Sequence, residues 1–222
     1  MVNPAIVLKR INLYLQNFKS VSLKTKYLVL ILLFFIGLVV SAIAPHDYFT
    51  YLLEVFPAII GLLILVFTFK QFQFTYLTYC LILIHSYILF IGGHYTYAEV
   101  PLFNWIQEAF HQTRNNYDKV GHFAQGFVPA VIIRELFIRN KVVKAGTWLS
   151  VLTVCTCATI SVFYEFLEWF VAISTGESAD AFLGTQGYVW DTQSDMLCAC
   201  IGATCAILLL SKIQDKAIEK LK

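Results

Sequence analysis

The sequence predicts an all-α polytopic membrane protein: a six-helix transmembrane bundle with an N-terminal amphipathic surface helix and a short outer interfacial helix. Three observations carry this. Hydrophobic residues make up 59% of the 222 and charged residues 14%, with mean hydropathy +0.70, more apolar material than a soluble domain of this size needs. That material falls into six runs, each near the ~20 residues a helix needs to cross a hydrocarbon core. The basic residues gather on one side of those runs, which sets orientation in a bilayer.

Residues 1–26 form a first, cytoplasmic segment. Leu8, Ile11, Leu15 and Phe18 recur at helical spacing, with Lys9, Arg10, Asn12, Gln16 and Lys19 on the other side. This pattern over residues 4–20 is that of a helix lying on a membrane surface. A six-span domain over residues 27–211 follows. Its apolar runs cover about 27–44, 51–69, 74–91, 118–138, 147–173 and 191–211. Ala42-Ile43-Ala44 has the form of a signal-peptide cleavage site, but the preceding run is long for one, so it is read as an uncleaved helix. The second and fifth runs carry Glu54, Glu165 and Glu168. Between the third and fourth, Leu102, Trp105, Ile106, Ala109 and Phe110 outline a half-helix in the outer interface. The sixth carries a small-residue stripe, Ala199, Gly202, Ala203 and Ala206, suited to close helix packing. Residues 212–222 are a basic cytoplasmic tail.

Of the 16 basic residues, all but Arg114 and Lys119 lie before the first run, between the second and third, around the loop after the fourth, or after the last. The positive-inside rule therefore places both termini in the cytoplasm, and an even number of spans satisfies every loop. The acids are distributed oppositely. Only Glu135, Asp215 and Glu219 of the 14 lie toward the inside. The net charge of +2 and the lack of a basic patch interleaved with aromatics give no nucleic-acid partner. Membrane lipid is the expected partner, and protein partners are not specified. The six cysteines lie in apolar runs and read as small hydrophobes, not as a disulfide or thiolate-metal framework.

Three helix ends at the outer face carry the chemistry. Asp118 and His122 are four residues apart, Glu165 and Glu168 three, and Asp191 and Asp195 four, so each pair shares one helix face. Gly121 and Gly126 beside the first pair allow another backbone to approach. A solitary carboxylate at such depth costs on the order of a few kcal/mol, and five together repel one another. They must be protonated, paired, hydrated or bound to a cation. Asp, Glu and His at these spacings on adjacent helices are the ligand types of carboxylate metal sites in bundles. The competing reading is that these groups only hydrogen-bond helices together. His85 is read as a core hydrogen-bonding residue, and Arg134 and Glu135 as snorkelling or paired groups. His46, Asp47 and His111 are read as solvated, and Glu54 as a partner to the cluster without a motif. No Walker A, G-x-S-x-G or H-E-x-x-H motif is present.

The run Gly92-Gly93-His94-Tyr95-Thr96-Tyr97-Ala98-Glu99-Val100-Pro101 resembles the YjdF-like family of bacterial inner-membrane proteins, a domain of unknown function. So do Arg114 to Asp118, Gly121-His122-Phe123, Gln125-Gly126-Phe127, Glu165, Glu168-Trp169, Leu183 to Gly187, Trp190 to Gln193 and Asp195-Met196. The resemblance covers about residues 27–211 and implies the inner membrane, but no substrate. At Tyr188 the family usually has an acid, so no role carries over to that position. A fainter resemblance to VanZ-like membrane proteins rests on the 118–123 and 195–202 segments and hints at envelope biology.

These residues lead to a metal-dependent membrane hydrolase as the first expectation. His94, Glu99, Asp118, His122, Glu165, Glu168, Asp191 and Asp195 would hold a divalent ion of unspecified identity. Asp118, His122, Glu165 and Glu168 would carry catalysis on a lipid or envelope-linked substrate. Asn116, Gln125, Gln186, Trp190 and Gln193 would contact that substrate. The alternatives are a proton- or cation-coupled transporter, and a non-catalytic envelope binding or scaffold protein.

Overall fold

The computed structural model describes residues 24–175 and 186–221. The expected surface helix over residues 4–20 lies outside the described residues. The described chain forms seven helices and no strand: α1 Lys24–Ser41, α2 Tyr48–Thr68, α3 Tyr76–His94, α4 Pro101–Ala109, α5 Tyr117–Arg139, α6 Thr147–Thr175 and α7 Asp191–Glu219.

Local chemistry starts several of them. Asp47 caps α2 by accepting from the Thr50 amide at 2.7 Å. Thr75 caps α3 through the Thr78 amide. Pro101 opens α4, where its missing N–H removes a donor the helix would leave unpaired. No residue of α4 is buried, and Leu102 and Trp105 lie exposed. A helix thus forms where the 102–110 spacing predicts one.

Of the seven, α1, α2, α3, α6 and α7 are long and apolar enough to cross a membrane. Their outward side chains are large hydrophobes such as Phe56, Phe67, Phe163, Phe166 and Leu208, a surface suited to lipid. The expected fourth span differs. As α5 it has 23 residues, but Asp118, Lys119, His122, Gln125, Arg134, Glu135 and Arg139 interrupt its apolar character. The reason is position. Twelve of its residues are buried, because α3, α6 and α7 all pack against it.

One cluster, Phe34, Tyr51, Val55, Ala58 and Phe90, joins α1, α2 and α3. Another, Ala130, Val131, Ile133, Cys157, Ala203 and Ala206, joins α5, α6 and α7. The two units meet chiefly along α3 and α5. Within the second, α5 and α7 approach backbone to backbone. A Cβ on Gly126 would land on the Ala199 carbonyl, and one on Gly202 on the Phe123 carbonyl. The small-residue stripe of α7 is this seam. Gly121 serves a different purpose from the expected one, since the Tyr97 ring, not a backbone, fills the space beside it.

The ends of the bundle differ in charge. At the basic end, Glu135 is fully buried and accepts from the Thr75 amide at 2.9 Å, the Thr75 hydroxyl at 2.9 Å, the Thr78 hydroxyl at 2.7 Å and Arg139 at 2.9 Å. This ties the start of α3 to the end of α5. Arg134 donates to Gln214 at 2.9 Å and pairs with Asp215 at 2.8 Å, while Gln214 donates to the Val131 carbonyl at 2.6 Å. These contacts hold α7 in register past residue 211, so much of the expected tail is helix, continuing to Glu219. The opposite, acidic end gathers the start of α5, the end of α6 and the start of α7.

Candidate functional site

Helical spacing delivers each predicted acid pair to the interior of the acidic end. Asp118, His122, Glu165, Glu168, Asp191 and Asp195 are all buried. Two cations sit among them. Arg114, itself only 5% exposed, pairs with Asp118 and donates to Asp191 at 2.6 Å. Lys119 reaches Asp191 and Asp195 at 2.7 Å each and Asp118 at 3.3 Å. Burial alone would lower the Arg114 pKa, but Asp118, Asp191 and Asp195 outweigh it and raise it above the ordinary arginine value. The Tyr188 ring lies 5.6 Å from Arg114 and 5.7 Å from Lys119, covering both cations.

Two sets of side chains have the separations a shared metal ion requires: His122 with Glu165 and Asp195, and Asp118 with Asp191 and Asp195. The second set is engaged throughout by Arg114 and Lys119, whereas in the first only Asp195 is engaged, by Lys119 at 2.7 Å. His122 Nε2 stands 3.7 Å from Asp195 Oδ1, and His122 Nδ1 3.8 Å from Glu165 Oε1. These are opposite nitrogens of one ring, and only one of them can face a shared ion. One ligand atom from each of the three residues lies within 4.8 Å of the others, against about 3.4 Å between ligands ~2.1 Å from a tetrahedral ion, so the set would contract around one. His122 Nδ1 also lies 3.0 Å from Gln125 Oε1. Assigning the Nδ1 proton to that contact leaves the Nε2 lone pair toward Asp195, as second-shell hydrogen bonds orient ligating histidines elsewhere. Glu165 Oε1 is buried and has no hydrogen-bond partner among the described residues. A buried carboxylate oxygen left that way is costly, and a bound cation would remove the cost.

Glu168 points elsewhere. It lines a cavity of about 210 Å³ between the two three-helix units, with Glu54 of α2, His85 of α3, Tyr97, Gln125 and His122 of α5, and Tyr164 of α6. The chain turns back after α3 with positive φ at Thr96 and Tyr97, which drives the Tyr97 ring inward between Gly92 and Gly121. Burial, then the charge of Glu54, raises the Tyr97 phenol well above its ordinary pKa, so it stays protonated. The Tyr164 hydroxyl faces Glu54 at 3.4 Å. His85 Nε2 is buried without a hydrogen-bond partner among the described residues, unlike the bonded core histidine expected.

The remaining predicted residues have other partners. His94 Nδ1 donates to the Ser41 carbonyl at 2.9 Å, and Glu99 pairs with His46 at 3.1 Å. Neither joins the metal-competent sets. Asn116 donates to Gln112 at 3.0 Å. Gln186 exchanges hydrogen bonds with the Asn115 backbone at 2.8 and 3.0 Å, bracing the approach to α5. Trp190 and Gln193 are exposed. Of the five residues assigned to substrate, Gln125 alone faces the cavity.

The residues carrying this geometry lie within a known family. The family model described as Predicted membrane protein (DUF2238) matches residues 26–216. The chain belongs to this family. A DUF2238 relative, Inner membrane protein YjdF of Escherichia coli (strain K12), is 41% identical over 205 residues, which is 92% of this chain and 96% of the relative. No solved structure matches. This DUF2238 protein is a membrane protein, and its whole acidic end lies inside the family match.

Proposed function

We propose that the acidic end is a divalent-metal site at the outer face of the inner membrane, acting on a lipid or envelope-linked substrate. The observation that carries this reading is the buried Glu165 Oε1, without a hydrogen-bond partner among the described residues, beside His122 and Asp195. His122, Glu165 and Asp195 would hold the ion, with Gln125 orienting His122. Such an ion supplies Lewis acidity and a water activated at neutral pH. Arg114 and Lys119 pair with Asp118 and Asp191 and fix them beside it.

In this reading α5 is a sixth span, screened from lipid by α3, α6 and α7, and both termini are cytoplasmic. The basic end, with Lys24, Lys26, Lys70, Lys141 and Lys144, supports that orientation. The exposed Leu102 and Trp105 suit α4 to the outer interface.

Metal analysis of purified wild-type protein and of Glu165→Gln tests the site. The expected result is a stoichiometric divalent ion in wild type and its loss in the variant. Absence of any such ion from wild type, before and after reconstitution, overturns the reading. A cation carrier is the second reading, supported by His85 and Glu54 extending polar lining to the middle of α3. Proteoliposome flux of protons or divalent ions that is unchanged by Glu165→Gln counts against it.

A further inference from the structure

We infer that the cavity between the two three-helix units is a binding site for a small primary ammonium group, held by the carboxylates of Glu54 and Glu168. Its wall contains two glutamates only 5% and 8% exposed, and no lysine or arginine among the described residues lines it. Asp118 also borders it, but Arg114 and Lys119 already neutralise that residue. Glu168 makes no hydrogen bond or ion pair among the described residues, although it is more than nine-tenths buried and lines the cavity. Leaving such a carboxylate at this depth costs on the order of a few kcal/mol. A cation seated between the two carboxylates would remove that cost.

The surroundings select the kind of cation. The cavity's 210 Å³ is below the ~300 Å³ at which drug-sized pockets begin, so the guest is small. Two carboxylates, the Tyr164 hydroxyl and the Gln125 amide provide hydrogen-bond acceptors, which a primary ammonium with three N–H donors can use and a quaternary ammonium cannot. The rings of Tyr97 and Tyr164 supply aromatic faces for the cation and its carbon stem. Tyr97 is placed there by design of the backbone, since glycines at 92 and 121 vacate the space its ring fills.

This deepens the metal-site reading, because His122 belongs to both the metal set and the cavity wall. It assigns the substrate an amine-bearing group seated beside the ion. The two sites remain separable, as Glu165 and Asp195 are not cavity-lining residues and Glu54 and Glu168 are not in the metal sets.

The test measures thermal unfolding of the full chain in detergent, after chelator treatment, against increasing ethylammonium, tetramethylammonium or sodium chloride at constant ionic strength. Ethylammonium should raise the midpoint saturably, and the other two should not. Glu168→Gln and Glu54→Gln should weaken the response by about tenfold or more, while Asp195→Asn, which disrupts the metal set, should retain it. Equal responses to the three salts in wild type overturn the proposal, and that comparison needs no variant to fold. So does an ethylammonium response that survives in Glu168→Gln, or a divalent ion whose stabilisation depends on Glu168 as strongly. Loss of metal binding in Asp195→Asn with ammonium binding intact separates the two readings.

Discussion

The charged residues divide into three environments, and each responds differently to substitution. Glu135 is the most fully bonded, with four donors converging on a carboxylate that no solvent reaches. Removing it strands the Thr75 amide and leaves Arg139 without its carboxylate. Glu135→Ala should therefore cost about 3 kcal/mol, read as a lowered unfolding midpoint in detergent, without changing metal content. Asp47 is exposed, and its carboxylate is held below the ordinary aspartate range mainly by the Thr50 amide. Because folding lowers this pKa, its stabilisation is complete above the unfolded value near 3.8 and is lost as pH falls through the lower folded value. Asp47→Ala should cost about 1 kcal/mol near neutral pH, with the difference from wild type shrinking to nothing in strong acid. The acids of the acidic end are legible as i,i+3 and i,i+4 pairs. Their partners are not. Arg114 reads in sequence as an ordinary outer-loop base, and only the fold turns it into the buried bridge between Asp118 and Asp191. Tyr97 and the cavity role of His85 escape for the same reason, being far apart in sequence with no shared spacing, while Glu54 is read as a partner to the cluster but has no motif to place it.

At the scale of elements, the apolar runs anticipate the helices to within a few residues, except at the end of α7. Hydropathy falls after Ser211, yet the helix continues because Gln214 and Ile218 are buried. A polar residue bonded to the Val131 carbonyl carries no hydrophobic signal. The α5–α7 seam gives a sharper expectation. Gly126→Ala or Gly202→Ala would drive a methyl into a facing carbonyl and should destabilise by about 2 kcal/mol or more. Gly61→Ala in α2 has open space around its Cβ and should instead stabilise by roughly 0.5–1 kcal/mol. Parallel melts of the three variants compare a filled seam with an empty one at identical chemistry.

At the scale of the molecule, the sequence speaks clearly to membrane class and poorly to interior architecture. Composition and loop charge follow from what lipid and translocation require of every residue. The division into two three-helix units, and the cavity between them, depends on tertiary contacts that leave no periodic trace. Orientation is directly measurable. A cysteine placed at exposed His111, in a background with native cysteines replaced, should react with an impermeant reagent added to intact cells. One placed at Lys144 should react only after the membrane is opened.

The polar character of α5 also bears on how the protein is made. A segment with Asp118, Lys119, Arg134, Glu135 and Arg139 is a poor candidate for release into lipid by itself. It gains company from α3, already synthesised, but its closest neighbour α7 emerges some fifty residues later. On the proposed reading of α5 as a sixth span, it would wait during synthesis, sheltered by α3 or by the insertion machinery, until the glycine seam of α7 arrives. A chain ended after Asn140 should leave this segment accessible to protease or extractable by alkali, and extending it through Glu219 should restore protection. On that reading a late-made helix completes the insertion of an earlier one.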